Sequence, residues 1–463
     1  MKIDTTDRYV QDFIIEHPEF GEMLDEIFIR QKKWRLRYGE ASLGSKYDIC
    51  GEDYDEEIIK SVKAITIDLL SKLLSVCNEN GLKVYLMYGS LLGAIRNDGI
   101  IHGDDDIDVA LMRSDYDTLL ELAKNGEFKE PYFFQTPYND ECFYGGFSKL
   151  RYSGTTAINP QNWWVDCHEG ISIDIFPMDG GFLDKHKQQR KKRKILHLQR
   201  LLYAKAYGYY ASFKDMPLLT WKIYKYIGKL WSRQQLAAKL DKELKLGDSS
   251  DASFSIYTHY MGEGGERLFS KSAFNETVYL NYEGLCVAAP AGWDLVLSEL
   301  YDYGYLKPIE YPIDKLRHGF YNADVPYQKY KKRFRGLFSQ MPSSDKKIGL
   351  VGDKEIFTLY KMRYKESKYQ PYAEIDIFDA SAVEREGTKE TYSISEDMTS
   401  VLSDINSIYL VICAVDVRVV ERIIRNLGYR DYYIFWYDRT WMQLANFLVI
   451  RNKANDIINH EVL

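Results

Sequence analysis

The chain has few cysteines, and no two of them form a close pair in sequence. The six (Cys50, Cys77, Cys142, Cys167, Cys286 and Cys413) are scattered, with no CxxC. That argues against a zinc ribbon or a disulfide framework and fits a reducing compartment. No run of about 18 apolar residues exists to span a bilayer. The opening Met1-Lys-Ile-Asp-Thr-Thr-Asp7 lacks the apolar core of a signal peptide. Together these absences predict a cytoplasmic protein. Positive charge is not in excess either: the formal net charge is -7, so no nucleic-acid partner is expected.

Length and tyrosine stand out among what is present. At 463 residues the chain is too long for one ordinary core, which suggests two or three domains. It carries 38 Tyr against 21 Phe and 8 Trp, and tyrosine-rich surfaces suit sugars and other polyols.

The most informative stretch runs from Val84 to Ala110. Val84 to Tyr88 is apolar and aromatic and reads as a buried strand. A Gly89-Ser90 turn follows, then Leu91-Leu-Gly-Ala-Ile-Arg96, a second turn at Gly99, and the run Asp104-Asp-Asp-Ile-Asp108. Side chains alternate along a strand, so Asp104, Asp106 and Asp108 share one face and Asp105 and Ile107 the other. Three carboxylates spaced about 7 Å apart repel one another at neutral pH. A divalent cation is the simplest relief, and oxygen ligands favour Mg2+ or Mn2+. Backbone N–H groups at Gly89 and Ser90 are placed to cradle phosphate. A phosphate cradle beside a carboxylate metal site is equipment for phosphoryl transfer.

Two later stretches add to this site. Phe147-Ser-Lys149-Leu-Arg151 predicts a strand with Lys149 and Arg151 on one face, suited to a second phosphate. Gly170-Ile-Ser-Ile-Asp174-Ile-Phe-Pro-Met-Asp179 sets Asp174 inside an apolar strand. A buried lone carboxylate is costly, so Asp174 is expected to face the site or a partner. Asp179 reads as a turn residue, and Trp163-Trp164 as either a cation–π box or core packing.

Gly89-Ser-Leu-Leu-Gly-Ala-Ile-Arg96, Gly99, Asp104-Asp-Asp-Ile-Asp108 and Arg113-Ser-Asp-Tyr116 together resemble the signature of the LicD family. That family lies within the nucleotidyltransferase superfamily and is related to fukutin and fukutin-related protein. Lys149-x-Arg151 with Thr155-Thr156, the Asp174-Ile-Phe-Pro segment, and Pro290-Ala-Gly292 before a helix extend the resemblance over roughly residues 55–310. It implies an α+β fold with a nucleotidyltransferase-like mixed sheet. It also implies transfer of a phospho-alcohol from a CDP-activated donor to a sugar hydroxyl of a surface glycan such as lipopolysaccharide, capsule or teichoic acid. Phosphocholine is the first candidate, and ribitol-like alcohols come next. On that reading Asp104, Asp106, Asp108 and Asp174 hold the metal, with Asp174 alternatively taking the acceptor's proton. Gly89, Ser90 and Arg96 stabilise the departing CMP. His102-Gly103 stands where the family usually has Pro-Trp, which leaves the alcohol open. The rival readings are a nucleotidyltransferase moving NMP from an NTP, a non-catalytic glycan- or nucleotide-binding protein, and a nicotinamide-dependent oxidoreductase.

The remaining sequence divides around this region. Residues 1–54 predict a helical extension, residues 55–338 the catalytic domain with a long helix over 55–80, and residues 347–463 a small Rossmann-like α/β domain. Only Gly352 stands where a dinucleotide fingerprint needs three glycines, so NAD is not expected. The basic run Lys185–Lys194 opens a helix suited to an anionic lipid surface or polymer, and peripheral contact with the inner membrane is one reading of it.

Overall fold

The computed structural model describes residues 52–101, 104–158, 166–207, 223–247 without 225, 253–257, 266–301, 305, 319–335 and 345–352. Beyond these it describes shorter pieces within 357–361, 368–376, 383–390, 408–414, 420–424 and 432–436. Nearly all of the expected helical extension, His102-Gly103 and Trp163-Trp164 lie outside the described residues.

A long helix, α1 (Glu52–Glu79), opens the fold. Its stripe of Leu69, Leu70 and Leu73 is fully buried. The helix ends at Gly81, whose φ of 68° is the left-handed geometry that favours glycine after a helix. The chain then enters β1 (Tyr85–Leu86), α2 (Tyr88–Asn97), β2 (Asp108–Met112) and α3 (Arg113–Lys124). Next come β3 (Tyr132–Gln135), β4 (Ser148–Tyr152), β5 (Thr156–Ile158), β6 (Ser172–Gly180), α4 (Lys185–Tyr207) and α5 (Arg233–Leu244). Then follow β7 (Ser253–Tyr257), β8 (Glu266–Ser270), β9 (Thr277–Tyr282), β10 (Leu285–Pro290) and α6 (Trp293–Tyr301).

These strands form one mixed sheet in the order β3-β4-β6-β2-β1-β10-β9, with β7 and β8 continuing from β6. The β2–β6 and β1–β10 pairs are parallel and the other pairs antiparallel. Val109, Ala110 and Leu111 of β2 and Ile173 and Ile175 of β6 are buried, so the two strands bearing Asp108 and Asp174 run through the core. The helix α1 packs against β4 and β6. It serves as the scaffold that its apolar stripe predicts.

A short segment of β11 (Phe320–Asn322), α7 (Tyr327–Lys331) and β12 (Phe334–Arg335) links this sheet to a second one. The strand β11 pairs with β5. The second sheet adds β13 (Lys347–Gly352), β14 (Pro371–Asp376), β15 (Val383–Arg385), β16 (Thr388–Glu390), β17 (Ile408–Ala414) and β18 (Tyr432–Trp436). Its order is β12-β18-β17-β13-β14-β15-β16. The strands β12, β18, β17, β13 and β14 run parallel, while β15 and β16 turn back antiparallel. The fold is thus α+β, as the sequence implies, with a largely parallel second sheet formed by the C-terminal strands.

Three local readings are corrected. The Val84–Tyr88 strand shrinks to Tyr85–Leu86, because Met87 caps α2 and Tyr88 turns into it. Gly89 and Ser90 therefore sit in a helix's first turn rather than in a free turn. The helix α3 is capped by Met112, without a side-chain bond. Asp179 is no turn residue: it is a buried member of β6, 1% exposed. It receives the Arg113 guanidinium at two points, each 2.6 Å. That pair joins α3 to β6, and Arg113 also reaches Asp241 of α5 at 3.1 Å.

Candidate active site

The site is built at one end of the central strands. Asp108, first residue of β2, and Asp174 of β6 are register partners in a parallel pair. Adjacent strands lie about 4.8 Å apart, so two carboxylates start from neighbouring backbone positions. Lys149 of β4 is the register partner of Asp174 on its other side. Its Nζ lies 2.5 Å from the Asp174 carboxylate. Asp174 thus has a cation on one flank and a second acid on the other.

The acidic run before β2 is not itself paired strand, and residues 104–107 carry no strand assignment. The alternation of faces nevertheless holds. Asp105 and Ile107 are buried, while Asp104, Asp106 and Asp108 are half-buried. Asp104, Asp105 and Asp106 each offer a carboxylate oxygen within 4.8 Å of the others. Asp105, assigned to the far face by spacing, thus brings an oxygen to the group as well.

Electrostatics ties the run to the strand pair. Burial first, then the Asp106 and Asp174 carboxylates, push the Asp108 carboxyl well above its usual range. Lys149 works against the shift and Asp104 adds to it. A set of oxygen donors that repel one another this strongly suits a hard divalent cation and not a soft one. The donor chemistry therefore fits Mg2+ or Mn2+.

The helix α2 closes the other side. Its first turn, Tyr88-Gly89-Ser90, follows the cap residue Met87, whose own N–H binds the Asp108 carbonyl at 3.0 Å. The Ser90 side chain accepts the Asp108 N–H at 2.8 Å, so Ser90 fixes the start of β2. A Cβ on Gly89 would stand 3.2 Å from an Asp104 carboxylate oxygen. The absence of a side chain there lets the acid lie against the helix end, where exposed N–H groups favour negative charge.

Two residues expected to meet phosphate have other surroundings than the carboxylates. Arg96 lies in the last turn of α2, six residues beyond Ser90 and about 9 Å along the axis. It forms no ion pair with a described carboxylate. Arg151 spends its guanidinium elsewhere: Nε donates to Gln135 at 2.6 Å and Nη1 to the Gly170 carbonyl at 2.7 Å. Lys149 and Arg151 share a strand face, yet only Lys149 reaches the acids.

Three tyrosines join the site that spacing did not single out. The Tyr282 hydroxyl at the end of β9 is pushed up by burial and by Asp104, Asp106 and Asp108, with Ser90 as its hydrogen-bonding partner. The Tyr321 hydroxyl donates to Asp105 at 2.6 Å. Tyr88 has a φ of 49°, uncommon for a bulky residue, at the strand-to-helix corner. Its ring meets Phe176 edge-on at 5.4 Å. Its hydroxyl is buried, has no hydrogen-bond partner among the described residues, and senses the Asp108 charge. Only Tyr88 lies within the motif itself, and its signal was the aromatic residue directly before Gly89.

Residues 81–207 match the LicD/FKTN/FKRP nucleotidyltransferase domain. This part of the chain is similar to the LicD family. The LicD match covers β1 to α4, including the acidic run, Lys149 and Asp174, and it stops short of Tyr282 and Tyr321. The family suggests phosphotransfer in glycan modification. The chain is also 30% identical over 97 residues to an uncharacterized protein of Rickettsia prowazekii (strain Madrid E), a stretch covering 21% of this chain and 33% of that protein. Among the described residues no helix is long and apolar enough to cross a membrane.

Proposed function

We propose that the LicD-family domain transfers a phospho-alcohol, phosphocholine first, from a CDP-activated donor to a sugar hydroxyl of a surface glycan. Lipopolysaccharide, capsule and teichoic acid are the acceptor classes. The observation that carries this reading is the facing pair Asp108 and Asp174, flanked by Lys149 and by the acidic run.

In the reaction a sugar oxygen bonds to the donor phosphorus while the phosphoanhydride bond to CMP breaks. Asp104, Asp106, Asp108 and Asp174 would hold Mg2+ or Mn2+, which neutralises charge on the diphosphate when bound. The first-turn N–H groups at Gly89 and Ser90 face the phosphate oxygens. The Tyr88 hydroxyl supplies a donor already stripped of water, at little further cost in ordering. Lys149 holds Asp174 in place, and Asp174 completes the donor set or takes the acceptor's proton. The reaction is then driven mainly by positioning and fixed charge.

A nucleotidyltransferase is the second reading, favoured by the domain description itself. Incubating the protein with CDP-choline or with CTP, each with a glycan acceptor and Mg2+, separates the two. Release of CMP from CDP-choline is expected, and release of pyrophosphate from CTP with no CMP from CDP-choline would favour the rival.

The same reading sets the protein at the cytoplasmic face of the inner membrane, in contact through α4. Lys185, Lys187, Arg190 and Arg193 are exposed there. Two other cations of that run are engaged within the protein: Lys191 donates to the Gly180 carbonyl at 2.7 Å, and Lys194 pairs with Glu243 at 3.2 Å.

A further inference from the structure

Asp105 is the member of the acidic run that turns inward, only 5% exposed. A buried carboxylate needs a donor, and Tyr321 supplies one to Oδ2 at 2.6 Å. Asp105 is also tied to the residue before it, since its own N–H donates to the Asp104 carboxylate at 3.1 Å. Fixing residue 105 therefore fixes which way its neighbours on either side project.

Tyr321 is held from several directions. It belongs to β11, whose register partner is Ala157 of β5. Its ring packs with Val62 of α1 and Ile171 before β6. Just downstream the Val325 carbonyl accepts the Thr156 hydroxyl at 2.6 Å, and the Tyr327 N–H binds the Thr155 carbonyl at 3.0 Å. The segment then stiffens itself. The Phe320 ring meets Tyr330 and Phe334 edge-on, and Asn322 donates to the Tyr330 hydroxyl at 2.9 Å. At Phe334–Arg335 the chain enters the second sheet beside β18, where Arg333 donates to the Tyr432 carbonyl at 2.9 Å. Twelve residues thus separate the group holding Asp105 from a strand of the second sheet.

We propose that Tyr321 is a positioning residue for the metal-binding acids: its hydroxyl locks Asp105 inward so that Asp104 and Asp106 face Asp108 and Asp174. Residues 320–335 act as a strap for this lock, held at one end by the two-stranded β11–β5 pair and at the other by the second sheet through β12. The proposal rests on the metal reading of the site and adds a requirement from outside the LicD match. A side chain supporting a metal ligand typically changes metal affinity 10- to 100-fold when removed.

The test is Mn2+ binding by the full chain, followed by electron paramagnetic resonance of the free ion, for wild type, Tyr321→Phe and Val62→Ala. Val62→Ala loosens the packing around the same ring and leaves the hydroxyl in place. Tyr321→Phe is expected to bind Mn2+ about 10-fold more weakly or worse, with Val62→Ala within about twofold of wild type even where its melting temperature falls. Equal affinity of Tyr321→Phe and wild type would overturn the proposal. So would an equal loss in Val62→Ala, which would reduce Tyr321 to a structural role. Should Tyr321→Phe fail to fold, Asp105→Asn carries the test, because an amide can still accept from the Tyr321 hydroxyl while the carboxylate charge is gone. Affinity within about twofold of wild type then supports a lock that acts by position, and a 10-fold loss, the mark of Asp105 as a metal ligand, overturns it. Wild type that binds no Mn2+ would overturn the metal reading itself, and the proposal with it.

Discussion

Asp108 and Asp174 stand side by side on parallel strands, and Lys149 completes the row from the antiparallel strand beyond. No other cation among the described residues forms an ion pair with Asp174. Replacing Lys149 with Met should leave two adjacent acids without that partner. Breaking a partly buried pair of this kind costs about 3–5 kcal/mol at the upper end, less here because both groups retain some exposure. Urea unfolding without metal should show the loss, and saturating Mg2+ should restore much of it.

Replacing Asp108 with Asn should have opposite effects on stability and on catalysis. The carboxyl is held well above its ordinary range, so its charged form is disfavoured in the fold. A raised folded value means stability is lost as pH rises from the unfolded carboxylate range toward that value. The metal-free Asn variant should melt at a higher temperature than wild type at pH 8, with a smaller difference at pH 4. CMP release should fall about 100-fold or more, as expected for loss of a charge acting on the transition state.

Gly89→Ala tests how closely the acid approaches the helix. The new methyl group would stand 3.2 Å from the Asp104 carboxylate, which must give by a few tenths of an ångström. Alanine favours a helix over glycine by up to about 1 kcal/mol, so the fold should not suffer. The expected result is unchanged or slightly raised stability with weaker Mg2+ dependence, read from activity against metal concentration.

Tyr88→Phe removes only a hydroxyl that has no hydrogen-bond partner among the described residues. Deleting a buried donor that lacks a partner should not destabilise the protein, and it can stabilise it by about 1 kcal/mol. If that hydroxyl meets the substrate, kcat/KM for the CDP-activated donor should fall about 10-fold while the melting temperature holds or rises.

The fold was legible where neighbours in sequence are neighbours in space. The stripe of α1, the alternation of Asp104 to Asp108, and the apolar flanks of Asp174 each report a local period, and the structure keeps all three. Contacts made across the chain were not legible. Tyr321 lies 216 positions from Asp105, and nothing near it in sequence marks a carboxylate partner. Asp179 looked like a turn because Gly180 follows it, whereas its partner Arg113 comes from 66 residues upstream. Arg96 is close in sequence to Ser90, but the helix sets it in the last turn, about 9 Å along the axis.

His168 supplies a pH test away from the acids. Burial, with Arg151 and Lys331 nearby, pulls its imidazole down to about 3. The ring stacks on Phe133 at 4.5 Å and its Nε2 lies 3.1 Å from the Ser153 hydroxyl. A lowered folded value means stability is present above the unfolded histidine range, near 6.5, and is lost as pH falls through it. Between pH 7.5 and 5 this contributes a loss of up to about 2 kcal/mol. His168→Gln should lose correspondingly less over that interval in urea unfolding.

The central claim is that a divalent cation sits among the aspartates beside a nucleotide's diphosphate. Anomalous diffraction from a crystal soaked in Mn2+ and CDP tests it most directly. The expected result is a peak within about 2.2 Å of oxygens from at least two of Asp104, Asp106, Asp108 and Asp174, with the diphosphate beside it. Ordered CDP elsewhere, or Mn2+ found only at sites away from these carboxylates, would contradict the account.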